Sequence, residues 1–322
     1  MLRSLAANIS PMDANRVHPE LQDKIKKIPA IPFYLPLIRR LFAWFSRLSQ
    51  GFKGDEHIKV SWLEHGEARS KLYQPLAPQT DAALLLIHGG GYILGHPAQA
   101  DALCQRLIEE LGISIISVDY RLAPKHPFPA PLDDCLSGWH YIQQQAEALG
   151  IDPAKVVIAG QSAGGGLAAC LAQKIRDDGG QQPLAQLLYY PMLDDRTVLR
   201  NDLTAEQHFL WDNRNNEAGW ACYLNQQPAL SDAPAYSVAA RCENLTDLPE
   251  CWIGVGDIDL FLNENEAYAD RLREAGVPCE LLVIEGGPHG FDLLFPDSIV
   301  ADQCFQSALS FLRRVTAAPA KG

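Results

Sequence analysis

The chain has 322 residues, 47% of them hydrophobic and 20% charged, which gives it enough apolar mass for a sizeable core and excludes a disordered chain. A formal net charge of −12, with no long run of lysine or arginine, argues against a nucleic-acid partner. Eight cysteines (Cys104, Cys135, Cys170, Cys222, Cys242, Cys251, Cys279 and Cys304) are scattered singly, without C-x-x-C pairs or zinc spacing, so no metal site is implied and a reduced, cytoplasmic protein is expected.

The first residues, MLRSLAANISPMD, lack the apolar run and small-residue cleavage site of a secretory signal. The most apolar later stretch, residues 28–45, is broken by three prolines and two arginines, so no integral membrane contact is expected. Within it Leu35, Leu37, Ile38, Leu41, Phe42, Phe45 and Leu48 recur at helical spacing. They predict an amphipathic helix whose apolar face packs on the body of the protein.

From residue 58 onward, strand-like runs alternate with helix-like segments, the order of an α/β protein with a mainly parallel sheet. IKVSWLEH and SKLYQP read as a hairpin, followed by ALLLIH, ISIISVDY, KVVIAG, AQLLYYP, CWIGVG and CELLVIEG. Helical periodicity falls on residues 101–111, 133–149, 167–176, 264–275 and 301–315. Two regions break the alternation, the first fifty residues and residues 195–249. Insertions of that length in an α/β chain usually cover a site.

ALLLIH runs into HGGGYILG, whose successive glycines expose backbone N–H groups to an anion. A P-loop needs Lys-Ser/Thr after its last glycine, and here Gly95 is followed by His96 and Pro97. A dinucleotide loop needs G-x-G-x-x-G, and Gly95 arrives one residue late. Neither phosphate reading fits.

KVVIAGQSAGGGLAA places the G-x-S-x-G pattern (Gly160, Ser162, Gly164) between an apolar strand and a helix, a sharp turn that projects a serine hydroxyl above a sheet. Such a serine needs a base and a group to orient that base. His289, in GGPHGFD just after the strand CELLVIEG, lies at the carboxyl edge of the sheet where that base belongs. The acid should lie between them in sequence and after a strand. Asp257 and Asp259 in VGDID both qualify, and local spacing does not separate them. The glycines after His88 then supply backbone donors to the oxyanion of a tetrahedral intermediate.

LLLIHGGGYILG, VDYRLAPKHPFPAPLDDC, VVIAGQSAGGGLAA, YYPMLDD, DIDLFLNENEAYADRL and GGPHGFD together resemble the hormone-sensitive-lipase-like group of α/β-hydrolase esterases. The resemblance implies an α/β-hydrolase fold, with residues 1–50 as an N-terminal cap segment, residues 51–322 as the catalytic domain and residues 195–249 contributing to the cap. It implies Ser162 as nucleophile and His289 as base. Between the aspartates it selects Asp259, because the family's acid precedes a short stretch ending in Asp-Glu, here D-L-F-L-N-E. Gly90, Gly91 and the N–H of Ala163 correspond to the oxyanion hole, and His88 to a brace of that loop.

Two positions depart from the family pattern, Gln161 and Asn263, each commonly Asp. The expected activity is hydrolysis of short- to medium-chain carboxylic esters without metal or organic cofactor. The expected partners are a small-molecule ester and, as an assembly, a homodimer. The competing readings are a non-catalytic small-molecule-binding protein on the same fold and an amidase, lactonase or deacetylase variant.

Overall fold

The structure, a computed structural model, describes residues 10–48 and 51–317; residues 1–9, 49–50 and 318–322 of the expected cap and catalytic segments lie outside it. The eight strand-like runs all form strands: β1 (Ile58–His65), β2 (Ala68–Pro75), β3 (Ala83–Ile87), β4 (Ser114–Asp119), β5 (Val156–Gln161), β6 (Gln186–Tyr189), β7 (Cys251–Gly256) and β8 (Cys279–Ile284). They make one sheet in the order β8-β7-β6-β5-β3-β4-β2-β1. The hairpin β1–β2 and the β2–β4 pair are antiparallel; every other pair is parallel. Strand order reverses at β3, β4 and β5, and ligands of open α/β sheets bind at such a crossing, outside the carboxyl ends of the strands.

Side chains alternate across each strand, and that alternation assigns the two faces of the sheet. In β3, Ala83, Leu85 and Ile87 join one core layer while Leu84 and Leu86 join the other. The first layer includes residues of α3 (Ala130–Leu149), α4 (Ala163–Asp178) and α6 (Leu262–Glu274). The second includes residues of α2 (Asp101–Leu111) and α7 (Ile299–Ala317). Covered on both faces, the central strands read as continuous apolar runs rather than alternating ones.

The two irregular regions touch each other. Ser10–Pro11 pairs in parallel with Glu206–Gln207, and the Asn215 side chain donates to the Ile31 carbonyl and accepts from the Tyr34 N–H. Asn215 lies in α5 (Asn213–Leu224), the helix within the second region, which Asp212 caps by accepting from the Asn215 N–H.

The N-terminal region itself divides in two. Met12, Val17, Leu21 and Ile25 are buried in the layer of α2 and α7, whereas α1 (Pro36–Leu48) departs from its expected packing. Ile38 and Ala43 pack on the other core layer, but Leu35, Leu37, Leu41, Phe42 and Phe45 are exposed. The spacing groups Leu37, Ile38, Leu41, Phe42 and Phe45 on one side of the helix, whereas Leu35 precedes its first turn and the side chain of Leu48 lies outside the described residues. Nothing among the described residues covers the outer half of that side.

Candidate active site

β5 delivers Ser162 to the carboxyl edge of the sheet, and α4 begins at the next residue. Ser162 adopts φ 53° and ψ −120°, a conformation that side chains avoid and that a tight strand-to-helix turn imposes. Glycine at 164 is required by proximity. A Cβ there would lie 2.1 Å from the Ile87 carbonyl oxygen of β3, so any larger residue would push the helix away from the sheet.

The Ser162 hydroxyl lies 2.9 Å from His289 Nε2, and His289 Nδ1 lies 2.8 Å from an Asp259 carboxylate oxygen. All three residues are buried. The other Asp259 oxygen accepts from the Phe261 N–H at 2.9 Å, which fixes the plane of the carboxylate. Asp257 is directed elsewhere and accepts from the Gly286 N–H at 2.7 Å, bracing the turn that leads to His289. The two aspartates that sequence spacing left equivalent therefore have different partners.

The loop after β3 comes directly against this serine. A Cβ on Gly89 would lie 3.3 Å from that of Ser162. The Gly90 carbonyl accepts from the N–H groups of Ile93 and Leu94, a tight turn held with Gly90 at φ 124° and Gly91 at φ 58°. Among the described residues, the N–H groups of Gly90 and Gly91 donate to no protein acceptor. Ala163 opens α4, where first-turn N–H groups have no intrahelical partner. His88 braces the loop: its Nδ1 lies 2.8 Å from the Gly89 carbonyl oxygen, its ring stacks on Tyr120, and the Tyr120 hydroxyl donates to the His88 carbonyl.

Gln161, one of the two departures from the family pattern, acquires a specific role in the packing. Its amide donates to the partly buried Asp292 at 3.0 Å, and the Tyr190 hydroxyl donates to the other Asp292 oxygen at 2.5 Å. The Tyr190 ring stands edge-on to His289, 4.9 Å between centroids. Burial pushes the Asp292 carboxyl up, with the Tyr190 and Gln161 donors opposing it. Burial also pushes the Tyr190 phenol well up, which keeps it a donor. Asp292 and Tyr190 are support residues whose motifs, GGPHGFD and YYPMLDD, do not announce this contact. Asn263, the other departure, is an exposed residue of α6. Its neighbour Glu264 is buried and accepts from Leu193 and Asp194 N–H and from Thr197, fixing the start of the second irregular region; burial raises its carboxyl.

That region closes over the site. Trp211 lies so near Gly91 that a Cβ there would come within 2.2 Å of its ring, and Leu210 packs beside Gly290, next to His289. Outside Leu210 a cleft of about 360 Å³ opens between the two irregular regions, lined by Ile31, Tyr34, His208, Leu210 and Arg214 among others. Burial lowers the His208 imidazole, which favours its neutral form.

A second histidine–serine contact, His65 Nε2 to Ser70 at 2.7 Å, lies on the β1–β2 hairpin. Its other nitrogen faces the Ser137 hydroxyl, no carboxylate among the described residues accepts from it, and Ser70 is fully buried, so this pair is packing.

The family model described as the alpha/beta hydrolase fold matches residues 84–293, from β3 through the histidine turn. The chain belongs to the α/β-hydrolase family, in its hormone-sensitive-lipase-like group. This α/β-hydrolase is 30% identical over 277 residues to Esterase LipI of Mycobacterium tuberculosis (strain ATCC 25618 / H37Rv), covering 83% of this chain and 86% of that one. It is 34% identical over 230 residues to the ethyl acetate hydrolase of Pseudomonas putida, covering 69% and 70%. Among solved structures it resembles a bacterial heroin esterase, with a TM-score of 0.86 and 32% identity over 94% of this chain and 99% of that one.

Proposed function

We propose that this α/β-hydrolase is a carboxylic ester hydrolase that works through an acyl-enzyme formed on Ser162. The observation that carries the reading is the continuous hydrogen-bonded line from Asp259 through His289 to Ser162 at the strand-to-helix turn. The esterases it resembles support the choice of substrate class.

In the first half-reaction the Ser162 oxygen attacks the ester carbonyl carbon while His289 Nε2 takes the hydroxyl proton. Asp259, already bonded to Nδ1, stabilises the imidazolium that results. The carbonyl electrons move to oxygen, and the N–H groups of Gly90, Gly91 and Ala163 receive that charge. When the tetrahedral centre collapses, His289 gives its proton to the leaving alkoxide, which departs as the alcohol. Water repeats the sequence against the acyl-enzyme and releases the acid.

The cap belongs to the same proposal: residues 1–50 and 195–249 cover the catalytic domain of residues 51–322, and esters of short to medium acyl chain enter through the cleft beside Leu210. The contact of Trp211 with Gly91 supports this, because cap and oxyanion loop are then one packed unit. A cytoplasmic setting is supported by eight cysteines that are all free thiols. A homodimer would leave the chemistry unchanged, since every group named belongs to one chain; sedimentation velocity reads it directly.

The test is turnover of a p-nitrophenyl acyl series by the wild type and Ser162→Ala. The expected result is hydrolysis favouring the shorter chains and a loss of about 10⁴-fold or more in the variant. Undiminished turnover in the variant would overturn the reading.

A further inference from the structure

α1 presents an apolar stripe to water. Leu37 is 78% exposed, Leu41 46%, Trp44 57% and Phe45 55%. Leu37, Leu41 and Trp44 stand at i, i+4 and i+7, which puts them within about 60° of one another around the helix. Beyond the edge of that stripe Ile38, next to Phe45 around the helix, and Ala43 hold the helix to the protein, and Phe42 meets Phe33 edge-to-face. The stripe is therefore the outer surface of a docked helix.

The charge around it runs against the rest of the chain. Residues 24–48 hold six lysines and arginines and no aspartate or glutamate, in a chain of formal net charge −12. Arg39 and Arg40 form no ion pair with a described residue, and Arg40 is exposed. An exposed helix with leucine, tryptophan and phenylalanine on one side and arginine beside them has the composition that lies in the interface of a lipid surface, and its charge selects anionic headgroups.

A second copy of the chain fits less well, because pairing α1 with itself would bring two sets of arginines together without a carboxylate on either helix. An acidic protein would satisfy the charge but gives no reason for four large apolar side chains in the open. The entrance to the cleft adds a further consideration. Ile31 and Tyr34, which line it, immediately precede α1, so a surface that holds α1 also lies at the mouth of the site.

We propose that α1 docks this protein peripherally on an anionic lipid surface, with Leu37, Leu41, Trp44 and Phe45 entering the headgroup–acyl boundary and the arginines pairing with lipid phosphates. The docking is independent of the catalytic chemistry and is read without it.

Flotation of the full chain with vesicles of phosphatidylcholine alone, or with about one quarter phosphatidylglycerol, tests this directly. The expected result is partition to the anionic vesicles at least about tenfold above that to the neutral ones, reversed by high salt. Leu37→Glu with Leu41→Glu should lower partition about tenfold or more while turnover of p-nitrophenyl acetate stays unchanged, which establishes folding. Brominated lipid should quench tryptophan fluorescence in the wild type and far less in Trp44→Phe. Absence of flotation, flotation undiminished in the double variant, or self-association in sedimentation velocity that the double variant abolishes while vesicles are ignored would each overturn the proposal.

Discussion

Asp257 and Asp259 are two residues apart in one turn, yet one accepts from a histidine ring and the other from a backbone N–H. Asp259→Asn is expected to lower kcat by about 10³- to 10⁴-fold because the imidazole loses its orienting anion. Asp257→Asn should cost about 1 kcal/mol of stability and far less activity, read by chemical denaturation and initial rates. Behind the serine, Asp292 has a carboxyl raised by burial, so the folded chain holds its proton to higher pH than the unfolded one. The associated stability is greatest below the unfolded carboxylate range and falls as pH rises through the folded value. Gln161→Asp would set a second carboxylate against Asp292, deepening that fall by about 1–2 kcal/mol as pH rises above the ordinary carboxylate range, as urea titrations over pH would read. Asp292→Asn should flatten it, because Gln161 has a free amide oxygen to accept from the new amide. Ser162 and His289 were legible because each stands at a turn whose spelling is local. Asp292 was not, because its bond to Gln161 spans 131 residues and follows from the path of the chain.

The central strands were legible as elements, since a strand covered on both faces must be apolar throughout, as Ala83–Ile87 is. α1 was legible as a helix but not in its surroundings: a hydrophobic period groups residues on a face and is silent about what lies against that face. Residues 206–212 were legible only as an interruption. Their placement over the site depends on Leu210 at φ 62° and on the fit of Trp211 against Gly91. That fit gives a test at this scale. Gly91→Ala would force the oxyanion loop or Trp211 to move, and kcat/KM is expected to fall by about 10²-fold or more with modest change in melting temperature. An unchanged kcat/KM would separate the loop from the chemistry.

Across the whole molecule, the N-terminal region contributes both to the core and to the rim of the site. Met12, Val17, Leu21 and Ile25 lie with α2 and α7, on the sheet face opposite the layer that Ile38 and Ala43 join. Deleting residues 1–48 is therefore expected to remove structure as well as cover. The truncated chain should lose its sharp thermal transition or melt lower by about 10 °C or more, and Leu21→Asp alone should lower the transition by several degrees. A truncated chain with full stability and unchanged activity on short and long acyl esters would refute the cap assignment. The central claim, that Ser162 is the nucleophile activated by His289 and Asp259, is tested most directly by peptide mass mapping after reaction with a p-nitrophenyl phosphonate. The expected result is a single phosphonyl group on the peptide containing Ser162, formed in step with loss of esterase activity and far more slowly in His289→Ala. A label on a different residue accompanying that loss, or an enzyme that stays active while Ser162 is modified, would contradict it.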